Sequence, residues 1–100
     1  RLPKRFTASD RLQNFSREKS LELIESLKQD ASNFISHLGY KNNYDLDITD
    51  GLRITLACGD IVHLRPSGNA PELRCYVESD AAEKAQALVR YTLEKCVKSD

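Results

Sequence analysis

The residues with the clearest potential for chemistry form one short run, Arg65-Pro66-Ser67-Gly68-Asn69-Ala70-Pro71. An arginine precedes small polar residues, and two prolines limit the freedom of the segment. Gly68 permits a backbone conformation closed to other residues, so successive N–H groups can turn inward as an anion-binding nest. Ser67 and Asn69 add side-chain donors, and the guanidinium of Arg65 forms a fork that matches phosphate. This run predicts a phosphate-binding loop.

A second interpretation of the same run is a tight hairpin turn beside a surface arginine. The residues alone leave both interpretations open. The segment leads into a strand and lacks the Gly-Lys-Ser/Thr ending of a nucleotide-binding P-loop, so that class of phosphate site is excluded.

The cysteines and histidines predict no further site. Cys58, Cys75 and Cys96 are odd in number and show no C-x-x-C spacing, which argues against a disulfide framework or a zinc site. Cys75 and Cys96 occupy apolar positions, so we expect buried free thiols and a cytoplasmic protein. His37 and His63 have no second ligand at a metal spacing. No catalytic residue and no metal ligand is predicted, and no set of nucleophile, base and acid indicates a small hydrolase.

Helical spacing predicts two elements that would support the loop. Ser16 is a suitable cap for the first helix and Asp80 for the second. Gly39 suits the end of the first helix, and weak helix formers over residues 30–33 allow a break. The expected buried stripes are Leu23, Ile24, Leu27, Ala31, Phe34, Ile35 and Leu38, then Ala81, Ala85, Leu88, Val89, Thr92, Leu93, Cys96 and Val97.

Alternation of apolar and polar residues predicts the strands. An extended segment covers residues 5–15, and residues 44–48 form a half-buried strand. Asp50-Gly51 indicates a hairpin with a type I′ turn. Further strands follow at 52–56, 61–65 and 73–78, with Leu73, Cys75 and Val77 on one face. We therefore expect an α+β fold: a mainly antiparallel four- to five-stranded sheet with two helices on one face.

Length and charge narrow the function further. The 100 residues fit a single domain over 1–100, with 1–4 as a linker remnant. No apolar run approaches the length of a membrane span, so we expect no membrane partner. The zero net charge argues against nucleic acid as a partner. Residues 1–19 carry six Lys/Arg against two acids, a basic start that we interpret as the side facing other domains.

The run from Asp50 to Glu78, with Gly59-Asp60 and Arg65-Pro66-Ser67-Gly68-Asn69-Ala70-Pro71, resembles the C-terminal (fourth) domain of the α-D-phosphohexomutase family. Bacterial phosphomannomutases are most similar, and the opening residues 2–13 also look like that domain's start. The resemblance implies a TATA-binding-protein-like α+β fold. It further implies an isomerase of four domains that interconverts hexose 6-phosphate and hexose 1-phosphate. The catalytic phosphoserine and Mg²⁺ belong to earlier domains, so this chain is not catalytic alone and binds no metal.

By the same resemblance, Arg65, Ser67, Gly68 and Asn69 would bind the substrate phosphate that is not transferred, and Arg74 would support the loop. The partners implied are a phosphosugar, of mannose or glucose, and the remaining domains of the enzyme. Asn69 and Ala70 replace the commoner threonine and glutamate of the family, and the Asn69 amide still donates a hydrogen bond.

Two further interpretations concern the sheet. Thr7-Ala8-Ser9 matches half of the family's phosphoserine motif, but the following His-Asn-Pro is absent, so Ser9 is interpreted as a strand serine. The alternative function is a non-enzymatic α+β interaction domain that binds a protein or nucleic acid through its sheet face. A nucleic-acid reader of that kind needs exposed aromatics, and Tyr76 is the plausible outward one.

Overall fold

The computed structural model describes residues 5–37, 44–49, 51–56, 59–67 and 71–98. Its strands and helices follow the expected order. The strands are β1 (Phe6–Gln13), β2 (Tyr44–Asp47), β3 (Leu52–Leu56), β4 (Ile61–Pro66) and β5 (Glu72–Ser79), and the helices are α1 (Arg17–Gln29), α2 (Ala31–His37) and α3 (Ala82–Lys98). The linker remnant predicted at 1–4 lies outside the described residues, as do Leu38 and Gly39 at the predicted end of the first helix.

The five strands form one antiparallel sheet in the order β1-β5-β4-β3-β2. Strands β2 to β5 pair as consecutive neighbours, whereas β1 pairs with β5, so the first strand closes the sheet beside the last. Strand β1 also meets α3, and β5 meets both α1 and α3. The α+β class and the antiparallel sheet are confirmed.

Within the described part of the chain, helices cover one face of the sheet, and no helix or strand covers the other, which we call the open face. Leu73, Cys75 and Val77 of β5 are at most 1% exposed, as their alternation predicts. The neighbouring strands present their apolar residues to the same side, because Val77 pairs with Val62 and Cys75 with Leu64. Intervening residues of β4 and β5 point the other way, and Arg65, Arg74 and Tyr76 among them are exposed.

The first helical segment is broken where weak helix formers predict a break. Ser16 caps α1, its side chain accepting a hydrogen bond from the Lys19 backbone N–H at 3.1 Å. Asp30 separates the two helices; its N–H donates to the Ser26 carbonyl, and its carboxylate accepts from the Asn33 amide at 2.8 Å. The apolar stripe from Leu23 to Ile35 is buried on both sides of the break.

The ends of α3 differ from expectation. The Ala81 carbonyl accepts the first helical hydrogen bond, from Ala85 N, so Ala81 occupies the cap position and the predicted Asp80 cap is wrong. Residues Ala85 to Cys96 of the predicted stripe are buried, but Ala81 and Val97 are exposed. Val97 lies in the last turn, next to the fully buried Cys96, and is 55% exposed.

The β2–β3 hairpin forms, but in a different register from the one that a two-residue turn at Asp50-Gly51 requires. That turn would pair Thr49 with Leu52, whereas Asp47 is observed opposite Arg53. An Asx turn shapes the corner instead: the Asp47 carboxylate accepts the Thr49 backbone N–H at 2.9 Å. That hydrogen bond lowers the pKa of Asp47. Asp50 lies outside the described residues, and Gly51 has the expected positive φ of 83°.

Strand β2 is also more exposed than predicted. It is an edge strand, and Leu46 and Ile48 are 37% and 54% exposed, whereas Tyr44 packs against the core. No helix within the described ranges has the length and apolar character needed to cross a bilayer.

Candidate anion-binding site

The base of the predicted phosphate loop is held by two backbone hydrogen bonds. Ser67 N–H donates to the Glu72 carbonyl at 2.9 Å and closes the segment between β4 and β5. Phe15 N–H donates to the Pro71 carbonyl at 2.7 Å and ties the loop to the end of β1. The chain reaches that second contact through Asn14, whose φ is 58°. Ser67 and Pro71, the two ends of the loop, are therefore both fixed on the sheet.

Arg65 lies in β4 two residues before the loop, and its side chain is exposed on the open face. It is packed from the β3 side by Gly51. A Cβ atom at Gly51 would lie 2.8 Å from Arg65 Cβ and 2.9 Å from Arg65 Cα, and it would collide with the Leu64 carbonyl oxygen. The glycine thus gives room for Arg65 as well as turning the chain.

Arg74 lies beside Arg65, as the partner opposite it on β5. Its Nη2 is 3.7 Å from Oε2 of Glu72, and Glu72 is also the residue whose carbonyl closes the loop. Arg74 is thereby joined to the base of the loop through one neighbouring residue. If Arg74 supports the loop as predicted, it does so through this contact with Glu72.

A third arginine completes this region, and no sequence motif had pointed to it. Arg11 of β1 pairs opposite Arg74, and its Nε lies 3.4 Å from Oε1 of Glu72. Arg11 and Arg74 are each about half exposed, whereas the Glu72 side chain is 15% exposed. Only the pairing of β1 with β5 brings Arg11 near the loop, and no local pattern encodes a pairing between such distant segments.

These side chains border a groove of about 330 Å³ on the open face. Asp10 and Cys75 border the groove. The other lining residues point outward from β1, β4 and β5, and they are Ser9, Arg11, His63, Arg65, Arg74 and Tyr76. The volume is at the lower end of the range of about 300–1,000 Å³ for small-molecule sites. Hydroxyl, imidazole and guanidinium donors dominate the lining, so the groove is suited to an anion.

The predicted site residues are therefore only partly located. Arg65 and Arg74 line the groove, whereas Ser67 lies at the start of the loop, two residues after Arg65. Gly68 and Asn69, predicted to supply the nest and a side-chain donor, lie outside the described residues. Ser9 lies in β1 opposite Tyr76, in agreement with its interpretation as a strand serine. Tyr76 is 42% exposed, as predicted for an outward aromatic.

The predicted free thiols supply no ionised group to this groove, although the residue Cys75 borders it. Cys75 and Cys96 are free and buried, and burial raises the pKa of each thiol to about 12. Cys58 and the side chain of His37 lie outside the described residues. Within the described ranges no three His, Cys, Asp or Glu side chains form a metal-binding group. These residues do not fit a Mg²⁺ ion, and no chemical step is assigned to one in this chain.

Two full-length proteins are similar to most of this chain. A phosphomannomutase from Salmonella muenchen is 46% identical over 95 residues, which cover 93% of the chain and 20% of that protein. A phosphomannomutase from Sinorhizobium fredii (strain NBRC 101917 / NGR234) is 45% identical over 83 residues, 81% of the chain and 17% of that protein. The chain spans about a fifth of the length of these curated relatives.

The family model described as the C-terminal domain of phosphoglucomutase/phosphomannomutase matches residues 8–95. That range runs from β1 through most of α3 and includes the whole groove. The match covers far more than half of the 100 residues. The chain therefore belongs to the family of phosphoglucomutase and phosphomannomutase C-terminal domains.

Proposed function

We propose that this chain is the substrate phosphate-binding domain of a phosphohexomutase that interconverts hexose 6-phosphate and hexose 1-phosphate. The family membership supports the enzyme class. The observation that supports the binding role is the position of Arg65 and Ser67: an exposed guanidinium stands beside a loop whose two ends are hydrogen-bonded to the sheet.

In this proposal the domain binds the phosphate that is not transferred. Arg65 donates two parallel hydrogen bonds to phosphate oxygens, while Ser67, Gly68 and Asn69 donate from the loop. Each charge-assisted bond contributes about 1.5–3 kcal/mol, so three or four of them hold a phosphate monoester firmly. The transferred group, the phosphoserine and Mg²⁺ belong to other domains, and a cytoplasmic location remains a prediction.

The proposal assigns this domain a positioning task. Binding one phosphate end of the sugar fixes the distance and orientation of the other end relative to the reacting group. Closure of the domain over the substrate would exclude water at the same time. In the full-length enzyme, Arg65→Ala should therefore raise the apparent KM and also lower kcat.

The direct test uses ¹H–¹⁵N NMR of the 100-residue chain titrated with mannose 6-phosphate and mannose 1-phosphate. We expect the amides of Arg65, Ser67 and Glu72 to shift with both ligands, and Arg65→Gln to abolish those shifts. Arg90→Gln is the matched control, since it removes the same charge from an exposed position on α3. If Arg65→Gln shifted as much as the wild type, the role of Arg65 would be refuted.

The interaction-domain alternative receives less support. Readers of single-stranded nucleic acid stack bases on aromatic side chains of an open sheet. Among the open-face residues that the structure describes, Tyr76 is the one aromatic. A single aromatic platform, with Glu78 as one of its neighbours along β5, offers too few rings for the stacking that such binding requires.

A further inference from the structure

Three arginines stand in a row across three neighbouring strands of the open face. Arg11 pairs opposite Arg74, and Arg74 pairs opposite Arg65. Residues directly opposite each other share a face of the sheet, and adjacent strands lie about 4.8 Å apart. The three side chains therefore begin within about 10 Å of one another, counted across two strand spacings.

Arg11 and Arg74 share a single carboxylate, that of Glu72, so their two positive charges are only partly offset. Guanidinium groups stay protonated at every physiological pH, and like charges directly opposite each other destabilise a sheet. The row also borders the concave groove, where positive potential is focused. An anion placed there would offset the remaining repulsion between Arg11 and Arg74.

Glu72 orients Arg11 and Arg74 but contacts only some of their N–H donors. Its two carboxylate oxygens divide between them: Oε1 lies 3.4 Å from Arg11 Nε, and Oε2 lies 3.7 Å from Arg74 Nη2. Each guanidinium has five N–H donors, and a single carboxylate contacts only one nitrogen of each. The remaining edges of both groups are available to a ligand.

The surroundings of Arg11 and Arg74 match a phosphate group. Ser9 and Tyr76 line the same groove and place hydroxyl donors one row away, since Ser9 pairs opposite Tyr76. Among the described residues of the lining, the one carboxylate is that of Asp10, whose Oδ1 accepts the Arg11 backbone N–H at 2.8 Å. Planar guanidinium forks bind the oxygens of phosphate in a bidentate manner better than other cations do.

We propose that Arg11 and Arg74, oriented by Glu72, form a second phosphate subsite on the open sheet face. It adjoins the site at Arg65 and Ser67, and that first site rests on the proposed function. The group bound is a phosphate dianion. It comes either from free phosphate or from a second phosphate on a ligand whose first phosphate occupies the loop.

The test compares four proteins by ¹H–¹⁵N NMR at low salt: wild type, R11Q/R74Q, R65Q and the control R90Q. Inorganic phosphate, fructose 6-phosphate and fructose 1,6-bisphosphate are the probes. With inorganic phosphate, the wild type should show two sets of shifts, one at 65–67 and one at 9–11 and 74–76. R11Q/R74Q should lose only the second set, R65Q mainly the first, and R90Q neither.

The bisphosphate distinguishes the two sources of the group. A ligand that reaches both subsites binds at least about tenfold more tightly than one phosphate alone, because the second contact is intramolecular. If fructose 1,6-bisphosphate shows that gain and R11Q/R74Q removes it, the group belongs to a doubly phosphorylated ligand. If both probes shift the second set with equal affinity, the subsite takes single phosphate groups.

Other results would overturn the inference. Shifts confined to 65–67, unchanged in R11Q/R74Q, would remove the second subsite and leave the proposed function intact. Shifts at 9–11 and 74–76 without any at 65–67 would retain the subsite but contradict the proposed function. No shift in either set with about 20 mM of each probe would contradict both, because about millimolar affinity is the least that several charge-assisted bonds provide.

Discussion

Gly51 lies against Arg65 so closely that no side chain fits between them. A Cβ atom at Gly51 would lie 2.8 Å from the Cβ of Arg65 and would also meet the Leu64 carbonyl oxygen. These neighbours belong to the backbone and first side-chain carbon of β4, which cannot swing aside. The hairpin that joins β2 to β3 thus supports the arginine proposed to bind phosphate.

The first prediction concerns Gly51→Ala. Gly51 has a φ of 83°, where an alanine is strained, and the collision with β4 adds to that strain. We expect a loss of about 2–4 kcal/mol in unfolding free energy, together with displaced Arg65 amide signals and weaker phosphate binding. Urea unfolding and the NMR titration measure both effects.

Gly59→Ala is the matched control for that prediction. Gly59 has a φ of 97°, but a Cβ atom added there would meet nothing within 4 Å, so only backbone strain applies. The substitution should cost about 1–2 kcal/mol and leave phosphate binding unchanged. If both variants lost the same unfolding free energy and the Arg65 amide signals did not move, the close approach of Gly51 to Arg65 would have no effect on the site.

The sequence predicted the elements of this fold because their patterns are local. Alternation identified β5 and its buried face, and the Ser16 cap and the break near Asp30 follow from the preferences of single residues. The register between β2 and β3 was not predictable in the same way. The Asx turn at Asp47 competes with the type I′ turn expected at Asp50-Gly51, and both satisfy the local preferences.

The site was predictable only where it is continuous in sequence. The run from Arg65 to Pro71 could be recognised from its composition. Arg11 could not, because it lies near the loop only through the pairing of β1 with β5. That register depends on packing between segments separated by most of the chain, and no residue near Arg11 encodes it. The packing of Gly51 against Arg65 could not be predicted from the sequence for the same reason.

The second prediction concerns Asp60, which lies between β3 and β4. Its side chain is 1% exposed, and its carboxylate lies 3.0 Å from Lys84 Nζ and 4.0 Å from Arg5 Nη1. Asp60→Asn keeps the shape but removes the charge, so we expect a loss of about 1–3 kcal/mol in unfolding free energy. Because the carboxylate is buried, the loss should persist in high salt.

Asp80→Asn is the control for Asp60, since both carboxylates contact the same lysine. Asp80 lies 3.7 Å from Lys84 Nζ and is 67% exposed. Exposed pairs contribute little, so this variant should change stability by less than about 0.5 kcal/mol. Similar small losses for both aspartates would show that burial adds nothing to the Asp60–Lys84 contact.

The third prediction concerns stability at alkaline pH. Burial raises the pKa of both Cys75 and Cys96 from 9.0 to about 12. The unfolded chain releases these protons at lower pH than the folded chain does. The contribution of the two thiols to folding stability is therefore intact below pH 9 and declines between pH 9 and about 12. Each thiol should contribute a slope of about 1.4 kcal/mol per pH unit in that window.

Urea unfolding from about pH 8 to about pH 11 in a Cys58→Ser background measures this slope. Cys75→Ala and Cys96→Ala should each remove the contribution of one thiol, while tyrosine and lysine titrations stay common to all the proteins. Alkylation of the native chain at about pH 8 should likewise be slow and should accelerate in urea. A slope that neither alanine variant changes would contradict burial as the origin of the raised pKa.

The last prediction concerns a buried hydroxyl in α3. Thr92 is 0% exposed, and within the described part of the chain its Oγ1 has no hydrogen-bond partner. A buried polar group without a partner opposes folding, and valine keeps the shape while removing that group. Thr92→Val should therefore leave stability unchanged or raise it by up to about 1 kcal/mol. Thr92→Ala also removes a methyl group from the core and should lower stability by about 1 kcal/mol. A loss of more than about 1 kcal/mol in Thr92→Val, measured by urea unfolding, would show that the hydroxyl is satisfied in solution.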